Sequence, residues 1–397
     1  MDVPMKAVVW HAPGEIAVEQ VPDARIQEPT DAVVRLTVSA ICGTDLHMVR
    51  GSLPGMRPGT ILGHEGVGVV EEVGPEVRNF RPGDRVVIPS TLCCGTCSYC
   101  RAGYTAQCDR ANPQGALAGT SFFGGPEMTG PVDGLQAEYA RIPFAHVNLV
   151  ALPDEVTDEQ AIVVSDVYPT AWFGALLAEV SPGDDVAVFG CGPVGQLAIT
   201  SAQQQGANRV LAVDHVASRL EMARSQHAET VDFDTEDPVE TIRQLTGGIG
   251  VDRVIDAVGV DAEAPAWAAP EGFPEQRREI TEPGVEGGDQ LPPIAPSQAS
   301  EWAVRAVAKA GTVGVVGVYP PTMDRWPIGT AMNRNLTVKL GNCNHRTHIP
   351  ELLRMVRSGV VDPLASVTQL TDWDGVIRSY HTFDDKEPGW VKVAVAV

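Results

Sequence analysis

Cysteine is concentrated in one short stretch of the chain. Five of the eight cysteines lie within the sixteen residues CCGTCSYCRAGYTAQC, 93–108. The spacing C-x2-C-x2-C-x7-C describes four of them: Cys94, Cys97, Cys100 and Cys108. A loop with thiolates at this spacing can wrap one tetrahedral Zn²⁺, and because four thiolates close the coordination sphere, the predicted site is structural. Cys93 is the surplus thiol and is predicted not to be a ligand; unligated thiols or a two-cysteine redox pair are the alternatives.

A second set of metal-ligand candidates is dispersed along the chain. Cys42 in ICGTDLH offers a thiolate and His64 in GHEGVG an imidazole, with the Glu65 carboxylate beside it; Asp166 follows much later, in VVSDVYPTAW. Three protein ligands and one open position are typical of a catalytic zinc, which can bind an alcohol oxygen and lower its pKa. Each residue alone is weak support, because a buried Cys usually packs in a core and a lone His usually forms an ordinary hydrogen bond. Only the combination predicts a metal site.

The turn GCGPVG follows the predicted strand DVAVF and opens a predicted helix. In that position Gly190 allows the tight turn, Gly192 lets the backbone approach a pyrophosphate, and Gly195 allows close helix packing. The helix N-terminus then favours the phosphate charge. The residues predicted to hold the dinucleotide at this turn are Gly190, Gly192, Pro193, Val194 and Gly195.

Asp214 ends the next strand, RVLAVD. A carboxylate there would accept hydrogen bonds from the adenosine ribose hydroxyls and repel a 2′-phosphate, so NAD is expected rather than NADP. His215 and Arg219 follow and could soften that preference, and Arg219 is a further cofactor-binding candidate. The alternative is an aspartate that only starts a turn.

Two kinds of element surround these residues. The N-terminal part reads as short β segments broken by Pro, Gly and Asp, which predicts a small barrel-like β domain. From about residue 160, strands alternate with helical patterns, which predicts a doubly wound parallel sheet. There, SEWAVRAVAKAG is predicted to be a helix and TVGVVGVY the following strand. Residues 261–296, rich in Pro, Gly and acidic residues, are predicted to be a long surface insertion.

Composition narrows the class of protein. The chain has 397 residues, 44% of them hydrophobic, and a formal net charge of −22. The length suits two domains, and the acidity makes nucleic acid an improbable partner. Without a run of about 18 apolar residues or an N-terminal apolar segment, neither a membrane partner nor a signal peptide is expected. A cytoplasmic location is the default, and in that reducing compartment clustered cysteines more often bind metal than form disulfides.

Together these motifs resemble the zinc-dependent medium-chain alcohol dehydrogenases. GHEGVGVVEEVGPEV fits that family's G-H-E-x2-G-x5-G-x2-V signature at every fixed position, and C-G-T-D-x-H, the four-cysteine lobe and the glycine turn occur in the family's order. The resemblance implies a GroES-like catalytic domain over 1–160, a Rossmann NAD-binding domain over 161–339 that contains the insertion, and a C-terminal part, 340–397, that completes the catalytic domain.

The resemblance also implies roles for individual residues. Cys42, His64 and Asp166 would hold a catalytic zinc, although many members have Cys at the third position. Asp45 would orient the zinc-bound histidine, and Glu65 would lie behind the ligands or act as an alternative ligand.

The implied reaction is hydride transfer between a small alcohol or aldehyde and NAD. Thr44 matches the hydroxyl that accepts the alcohol proton, and His47 matches the histidine that relays it towards solvent. A turn hydroxyl and a surface side chain are the alternative interpretations of these two residues. Two zinc ions and one NAD per chain are expected.

The aspartate at position 166 and the segment FFGGPEMTGPVDGLQAEYARIPFA resemble the glutathione-independent formaldehyde dehydrogenase and formaldehyde dismutase subgroup. That likeness favours a small substrate such as formaldehyde hydrate, with dismutase activity on tightly held NAD left open. A polyol or other secondary-alcohol dehydrogenase is the close alternative, and a zinc-free quinone reductase or non-catalytic member the more distant one. A homodimer or homotetramer, formed through the sheet edge of the nucleotide domain, is implied by the family.

Overall fold

The computed structural model describes residues 4–114, 118–265, 267, 276 and 294–397. Most of the predicted insertion at 261–296 therefore lies outside the described residues. The chain divides into two compact units: Met1–Pro169 with Asn342–Val397, and Thr170–Gly341. All three residues of the dispersed metal set belong to the first unit.

Sixteen strands occur in the described part of the chain. In chain order they are β1 (Met5–Ala12), β2 (Glu15–Val21), β3 (Ala32–Ile41), β4 (Thr60–Ile61), β5 (Gly66–Val73), β6 (Arg85–Ile88), β7 (Tyr139–Ile142), β8 (Val150–Ala151), β9 (Asp185–Phe189), β10 (Arg209–Asp214), β11 (Glu229–Asp232), β12 (Val251–Asp256), β13 (Val307–Val315), β14 (Thr337–Leu340), β15 (Gln369–Thr371) and β16 (Val393–Ala396).

The helices are distributed over both units. The α-helices are Gly43–Arg50, Ser98–Arg101, Ala145–Asn148, Asp158–Ser165, Val167–Leu177, Pro193–Gln204, Ala217–Ser225, Pro238–Leu245, Gln298–Ala306, Ile328–Asn333, His345–Arg357 and Val376–Asp384, and 3₁₀ turns cover Thr105–Gln107, Glu127–Thr129 and Pro363–Ser366. Among the described residues, no helix has both the length and the apolar composition that crossing a bilayer requires.

The first unit is built on two β-sheets. One has the order β2-β1-β4, and the other β15-β16-β3-β5-β6-β8, with β7 also paired to β3. The second sheet is antiparallel except for the β15–β16 pair, and Leu36, Val70 and Ile88 form part of a buried core on it. Val393 of β16 pairs with Ile41 of β3, so the C-terminal segment completes this sheet beside the end of β3.

The second unit is a doubly wound α/β unit. Its six strands are parallel and have the order β11-β10-β9-β12-β13-β14, which is the 3-2-1-4-5-6 order of a dinucleotide-binding sheet. The predicted fold class, a GroES-like β unit with a Rossmann-type unit, is confirmed.

One element prediction in this unit is wrong. SEWAVRAVAKAG is not a single helix, because the helix ends at Ala306 and β13 begins at Val307. Val307 pairs with Val251 of β12 and is buried, and Ala310 adopts a left-handed φ of 61°. Pairing with a central strand here outweighs the helix propensity of an alanine-rich sequence.

Candidate metal centres and nucleotide-binding turn

The ends of three elements place the dispersed ligand candidates. Cys42 follows β3 and is the N-cap of the helix Gly43–Arg50. His64 lies in the loop before β5, after Gly63, whose φ is +91° and whose added Cβ would lie 2.5 Å from Gln136 Cγ. Asp166 is the residue between the helices that end at Ser165 and begin at Val167, and its φ of −145° interrupts the helical path. Each side chain thus sits where a regular element stops.

These side chains converge on one point. One donor atom each from Cys42, His64, Glu65 and Asp166 lies within 4.8 Å of all the others, and all four residues are buried. Asp166 Oδ2 is 3.7 Å from Cys42 Sγ and 3.7 Å from His64 Nε2. A thiolate, an imidazole and carboxylates at this separation fit a Zn²⁺ ion, which takes sulfur, nitrogen and oxygen ligands.

Asp45 lies directly behind this cluster. Its Oδ1 is 3.2 Å from His64 Nδ1, and its Oδ2 accepts a hydrogen bond of 2.9 Å from the Cys42 amide. The side-chain amide of Gln136 reaches Oδ2 as well, at 3.4 Å. One buried carboxylate therefore orients the imidazole and fixes the backbone of the neighbouring thiol.

The charges of the cluster fit a bound cation. Burial raises the pKa of the Cys42 thiol, although the His64 imidazole opposes that shift. Burial also disfavours a charged Asp166, but a hydrogen bond from His345 and the charges of His345 and His64 hold the pKa of Asp166 below its usual value. The pocket therefore buries one ionised carboxylate beside a thiol, and binding a divalent metal ion deprotonates such a thiol.

Lys392 is a member of this site that the sequence analysis did not find. Its ammonium group is fully buried, donates to the Ile41 carbonyl at 3.0 Å and forms an ion pair with Glu65 Oε1. The other carboxylate oxygen of Glu65, Oε2, has no hydrogen-bond partner among the described residues. The signal was present in the sequence as a lone lysine inside the apolar strand pattern WVKVAVAV, because a buried lysine requires a buried partner.

His345 is the second residue that sequence reasoning missed. Its Nε2 lies 2.7 Å from Asp166 Oδ1, and its Nδ1 lies 3.0 Å from the Thr91 hydroxyl. All three side chains are buried. The segment GNCNHRTH carried no spacing that pointed to this contact, which joins residues far apart in the sequence.

The two predicted proton-transfer residues lie on the helix Gly43–Arg50. Thr44 is half-buried, whereas His47 is buried rather than on the surface, with its Nδ1 3.4 Å from the Ser52 hydroxyl. They are three residues apart, so they share one face of the helix that Cys42 caps. This placement is compatible with the predicted relay, which stays a prediction.

The cysteine lobe forms a compact four-sulfur cluster. One sulfur atom each from Cys94, Cys97, Cys100 and Cys108 lies within 4.8 Å of the others, and all eight cysteines of the chain are free of disulfides. Backbone amides donate to these sulfurs, from Cys97 to Cys94 Sγ at 3.4 Å and from Ala111 to Cys108 Sγ at 3.3 Å. Such N–H···S bonds stabilise thiolates, so the lobe suits a structural zinc.

Two cysteines of the lobe differ in the ease of ionisation. Burial disfavours the Cys94 thiolate, yet hydrogen bonds from Thr96 and from the Cys97 amide lower the pKa of Cys94 to about 6. Burial raises the pKa of Cys93 to about 12, and its thiol donates to Asn148 Oδ1 at 3.3 Å. The site thus separates a thiolate suited to a metal ion from a neutral thiol that packs in the lobe.

The glycine turn has the backbone that a phosphate site needs. Gly190 has a φ of +85°, and a Cβ on Gly195 would lie 1.8 Å from the Gly190 carbonyl oxygen. A Cβ on Gly192, the N-cap of the helix that starts with Pro193 and Val194, would meet no heavy atom within 4 Å. The outer two glycines are thus required by the turn itself, and Gly192 leaves room for a ligand at the helix N-terminus.

Asp214 has a structural role as well as its predicted ligand role. Its Oδ2 accepts from the Cys191 amide at 2.7 Å, and its Oδ1 accepts from the amides of His215 and Val216 at 2.8 and 2.9 Å. Asp214 therefore does start a turn, and it ties that turn to the glycine loop. Each oxygen of a carboxylate can accept more than one hydrogen bond, so both roles are compatible.

Acidic side chains surround the residue after Asp214. His215 Nδ1 lies 3.1 Å from Asp234 Oδ2, and its Nε2 lies 2.8 Å from Glu263 Oε2. Arg219, on the next helix, is half-buried, and its Nε has no hydrogen-bond partner among the described residues. Two carboxylates therefore contact the residue that follows the ribose-binding candidate Asp214.

Residues 28–154 match the alcohol dehydrogenase GroES-like domain, and residues 193–267 match the zinc-binding dehydrogenase domain. The chain is 35% identical over 397 residues to AdhB of Bacillus subtilis (strain 168), described as an uncharacterized zinc-type alcohol dehydrogenase-like protein; the match covers 98% of this chain and 100% of that protein. The chain belongs to the zinc-type medium-chain alcohol dehydrogenase family. Among solved structures, alcohol dehydrogenase TADH from Thermus sp. ATN1 shares 35% identity with a TM-score of 0.81, covering 99% of this chain and 100% of that one.

The match to the formaldehyde subgroup covers a smaller share of the chain than the match to zinc-type alcohol dehydrogenase relatives. The glutathione-independent formaldehyde dehydrogenase of Pseudomonas aeruginosa (strain LESB58) is 37% identical over 268 residues, which cover 65% of this chain and 66% of that protein. The family likeness thus extends along the whole chain, whereas the subgroup likeness is partial.

Proposed function

We propose that this alcohol dehydrogenase family member is a zinc- and NAD-dependent oxidoreductase that transfers a hydride between a small alcohol or aldehyde and NAD. The observation that carries the proposal is the convergence of Cys42, His64 and Asp166, three chemically different zinc ligands brought from separate parts of the chain to within 4.8 Å. A zinc-free quinone reductase or a non-catalytic relative would have no need of this set.

The protein's own residues would position the reactants and move one proton. When bound, zinc would acidify the substrate hydroxyl, and NAD would accept the hydride. Asp45 holds the His64 ring with Nε2 facing the metal ligands. The Thr44 hydroxyl would take the alcohol proton, and His47 would pass it on towards solvent.

The glycine turn and Asp214 support NAD as the cofactor. The phosphates would lie at the N-terminus of the helix Pro193–Gln204, and Asp214 would accept from the adenosine ribose. Asp234 and Glu263 add negative charge beside this position, and Arg219, on the helix Ala217–Ser225, is a further cofactor-binding candidate. NAD binding measured against NADP by fluorescence quenching should therefore favour NAD; equal affinity would contradict this assignment.

Formaldehyde hydrate and short primary alcohols are the first proposed substrates. This proposal rests on the likeness of Asp166 and of the segment 122–145 to the formaldehyde subgroup. The ring of Phe122, the first residue of that segment, meets the His64 imidazole edge to face, with 6.0 Å between the ring centres. A polyol or secondary-alcohol dehydrogenase is the second candidate. It is favoured because the zinc-type alcohol dehydrogenase-like relative matches nearly the whole chain, whereas the formaldehyde enzyme matches only part of it.

A combined metal and substrate assay tests the proposal. We expect two zinc ions per chain and NADH formation with formaldehyde or a short alcohol, and His64→Ala should abolish that activity and lose one zinc. A control variant, His11→Ala, changes a half-buried histidine of the same unit that pairs with Glu19 at 2.8 Å and should do neither. One zinc or none in the wild type, or no activity with formaldehyde, primary alcohols and diols, would refute the proposal.

An exposed sheet edge supports a homodimer or homotetramer. β14 is the edge strand of the six-stranded sheet, and Leu340 at its end is exposed. Ile328 and Met332 of the preceding helix are also exposed. An apolar strand edge of this kind favours pairing with a second copy. Light scattering should give a dimer or tetramer, and Leu340→Asp should shift it towards monomer. We also propose a cytoplasmic location, because its reducing conditions keep thiols free to bind metal.

A further inference from the structure

The two carboxylate oxygens of Asp166 have different partners. Oδ2 faces the sulfur of Cys42 and the Nε2 of His64, each at 3.7 Å. Oδ1 lies 2.7 Å from the Nε2 of His345. Since an ionised carboxylate can only accept hydrogen bonds, the Nε2 of His345 carries a proton and donates a hydrogen bond to Oδ1. Oδ2 is then the oxygen that faces the thiol of Cys42 and the imidazole of His64.

His345 is itself fixed on its far side. Its Nδ1 lies 3.0 Å from the Thr91 hydroxyl, which is also 3.3 Å from the Cys343 carbonyl. The Thr91 hydroxyl can accept a hydrogen bond from Nδ1 while it donates to the Cys343 carbonyl, or it can donate to Nδ1. In either arrangement, the ring cannot rotate without losing a bond on one of its two sides.

We propose that His345 is a positioning residue that makes Asp166 a one-oxygen metal ligand, an inference that rests on the proposed function. A carboxylate with both oxygens free can bind an ion through both and fill a further coordination position. By holding Oδ1, His345 leaves Oδ2 alone for the metal ion, and the position that the second oxygen would fill remains available to substrate. Hydrogen bonds behind a ligand typically set metal affinity in this way.

The test compares two amide substitutions in the full-length protein. The amide of His345→Gln reaches the place of Nε2 and can still donate to Asp166, whereas His345→Asn ends near Nδ1 and cannot. With zinc kept in the cysteine lobe, Co²⁺ is titrated into the catalytic site in competition with a chelator. We expect His345→Asn to weaken Co²⁺ binding about 10–100-fold and His345→Gln to remain within a few-fold of the wild type.

The cobalt spectrum provides a readout that does not depend on activity. Four-coordinate Co²⁺ absorbs more strongly in its d–d bands than five-coordinate Co²⁺, so two-oxygen binding by Asp166 should weaken these bands in His345→Asn but not in His345→Gln. His381→Asn, at an exposed helical position of the same unit, should match the wild type in affinity and spectrum.

Each outcome bears on a different claim. A wild-type protein that binds no Co²⁺ outside the cysteine lobe would refute the proposed function itself. Folded His345→Asn with the affinity and d–d intensity of the wild type would overturn the positioning role and leave the proposed function standing. If His345→Asn does not fold, Thr91→Val decides, because it keeps the imidazole but removes its outer hydrogen bond. Weaker cobalt bands in that variant support the role, and an unchanged spectrum overturns it.

Discussion

Lys392→Met tests whether Glu65 is a charged group in the core of the first unit. Lys392 is fully buried, and its ammonium pairs with Glu65 and with the Ile41 carbonyl. Methionine has a similar length but no charge, so the substitution leaves Glu65 buried without this partner. Breaking a buried ion pair in this way costs about 3–5 kcal/mol. For a unit of about 225 residues, that predicts a fall in Tm of roughly 6–20 °C.

Thermal unfolding of wild type and variant at equal zinc content measures the effect. The double variant Lys392→Met with Glu65→Gln removes the unpaired charge as well, so it should recover at least half of the lost stability. Arg35→Met is the control, because Arg35 lies in the same unit and forms an exposed ion pair with Glu71 at 3.8 Å. Exposed pairs contribute at most about 1 kcal/mol, so the control should change Tm little.

Two results would refute this reasoning. If Lys392→Met lowers the free energy of unfolding by less than about 1 kcal/mol, the loss is no larger than that for an exposed ion pair. The assignment of a buried, charged Glu65 would then be wrong. A double variant no more stable than Lys392→Met would mean that the lysine acts through packing or through its bond to the backbone of β3, and not through Glu65.

Three further predictions concern the other sites. Gly195→Ala should lower both Tm and NAD affinity, because its Cβ would lie 1.8 Å from a backbone oxygen, whereas Gly192→Ala should lower only NAD affinity. NADH fluorescence measures the affinity and thermal unfolding measures Tm. An unchanged affinity in both variants would contradict the assignment of this turn to the dinucleotide. Cys97→Ser should lose one zinc per chain, while Cys93→Ser should lose none, as metal analysis would show; loss in both would place Cys93 among the ligands. Glu263→Gln should raise NADP affinity relative to NAD severalfold by removing one negative charge beside the end of β10, and an unchanged ratio in binding titrations would refute it.

Local sequence patterns predicted most of the fold and the metal-ligand candidates. The glycine turn and the four-cysteine spacing involve residues close together in the chain, so their geometry follows from backbone rules that act over a few residues. The alternation of strands and helices likewise predicted a parallel sheet before its order was known. The residue types of Cys42, His64 and Asp166 make them metal-ligand candidates, but their assignment to one zinc depends on the family resemblance, because no spacing rule joins residues so far apart.

The wrong helix prediction and the two missed residues, Lys392 and His345, all involve contacts between distant parts of the chain. The stretch SEWAVRAVAKAG predicts one helix, but Val307 pairs with Val251 of β12 and strand β13 begins there. Lys392 and His345 reach the metal-ligand cluster only because the C-terminal segment returns to the first unit, with β16 paired to β3. Such contacts depend on the assembled sheet and leave little trace in the local pattern.

Residues 343–345, where the helix His345–Arg357 begins, link the two candidate metal centres of the first unit. On one side, the Asn344 side chain accepts a hydrogen bond of 2.9 Å from the Ala106 amide, two residues before the ligand Cys108. On the other side, His345 holds Asp166, and Thr91, three residues before the ligand Cys94, reaches both His345 and the Cys343 carbonyl. A folded cysteine lobe therefore fixes the residues that aim Asp166. A zinc ion in the cysteine lobe would therefore affect the position of Asp166 at the other metal centre, although the lobe contributes no ligand there.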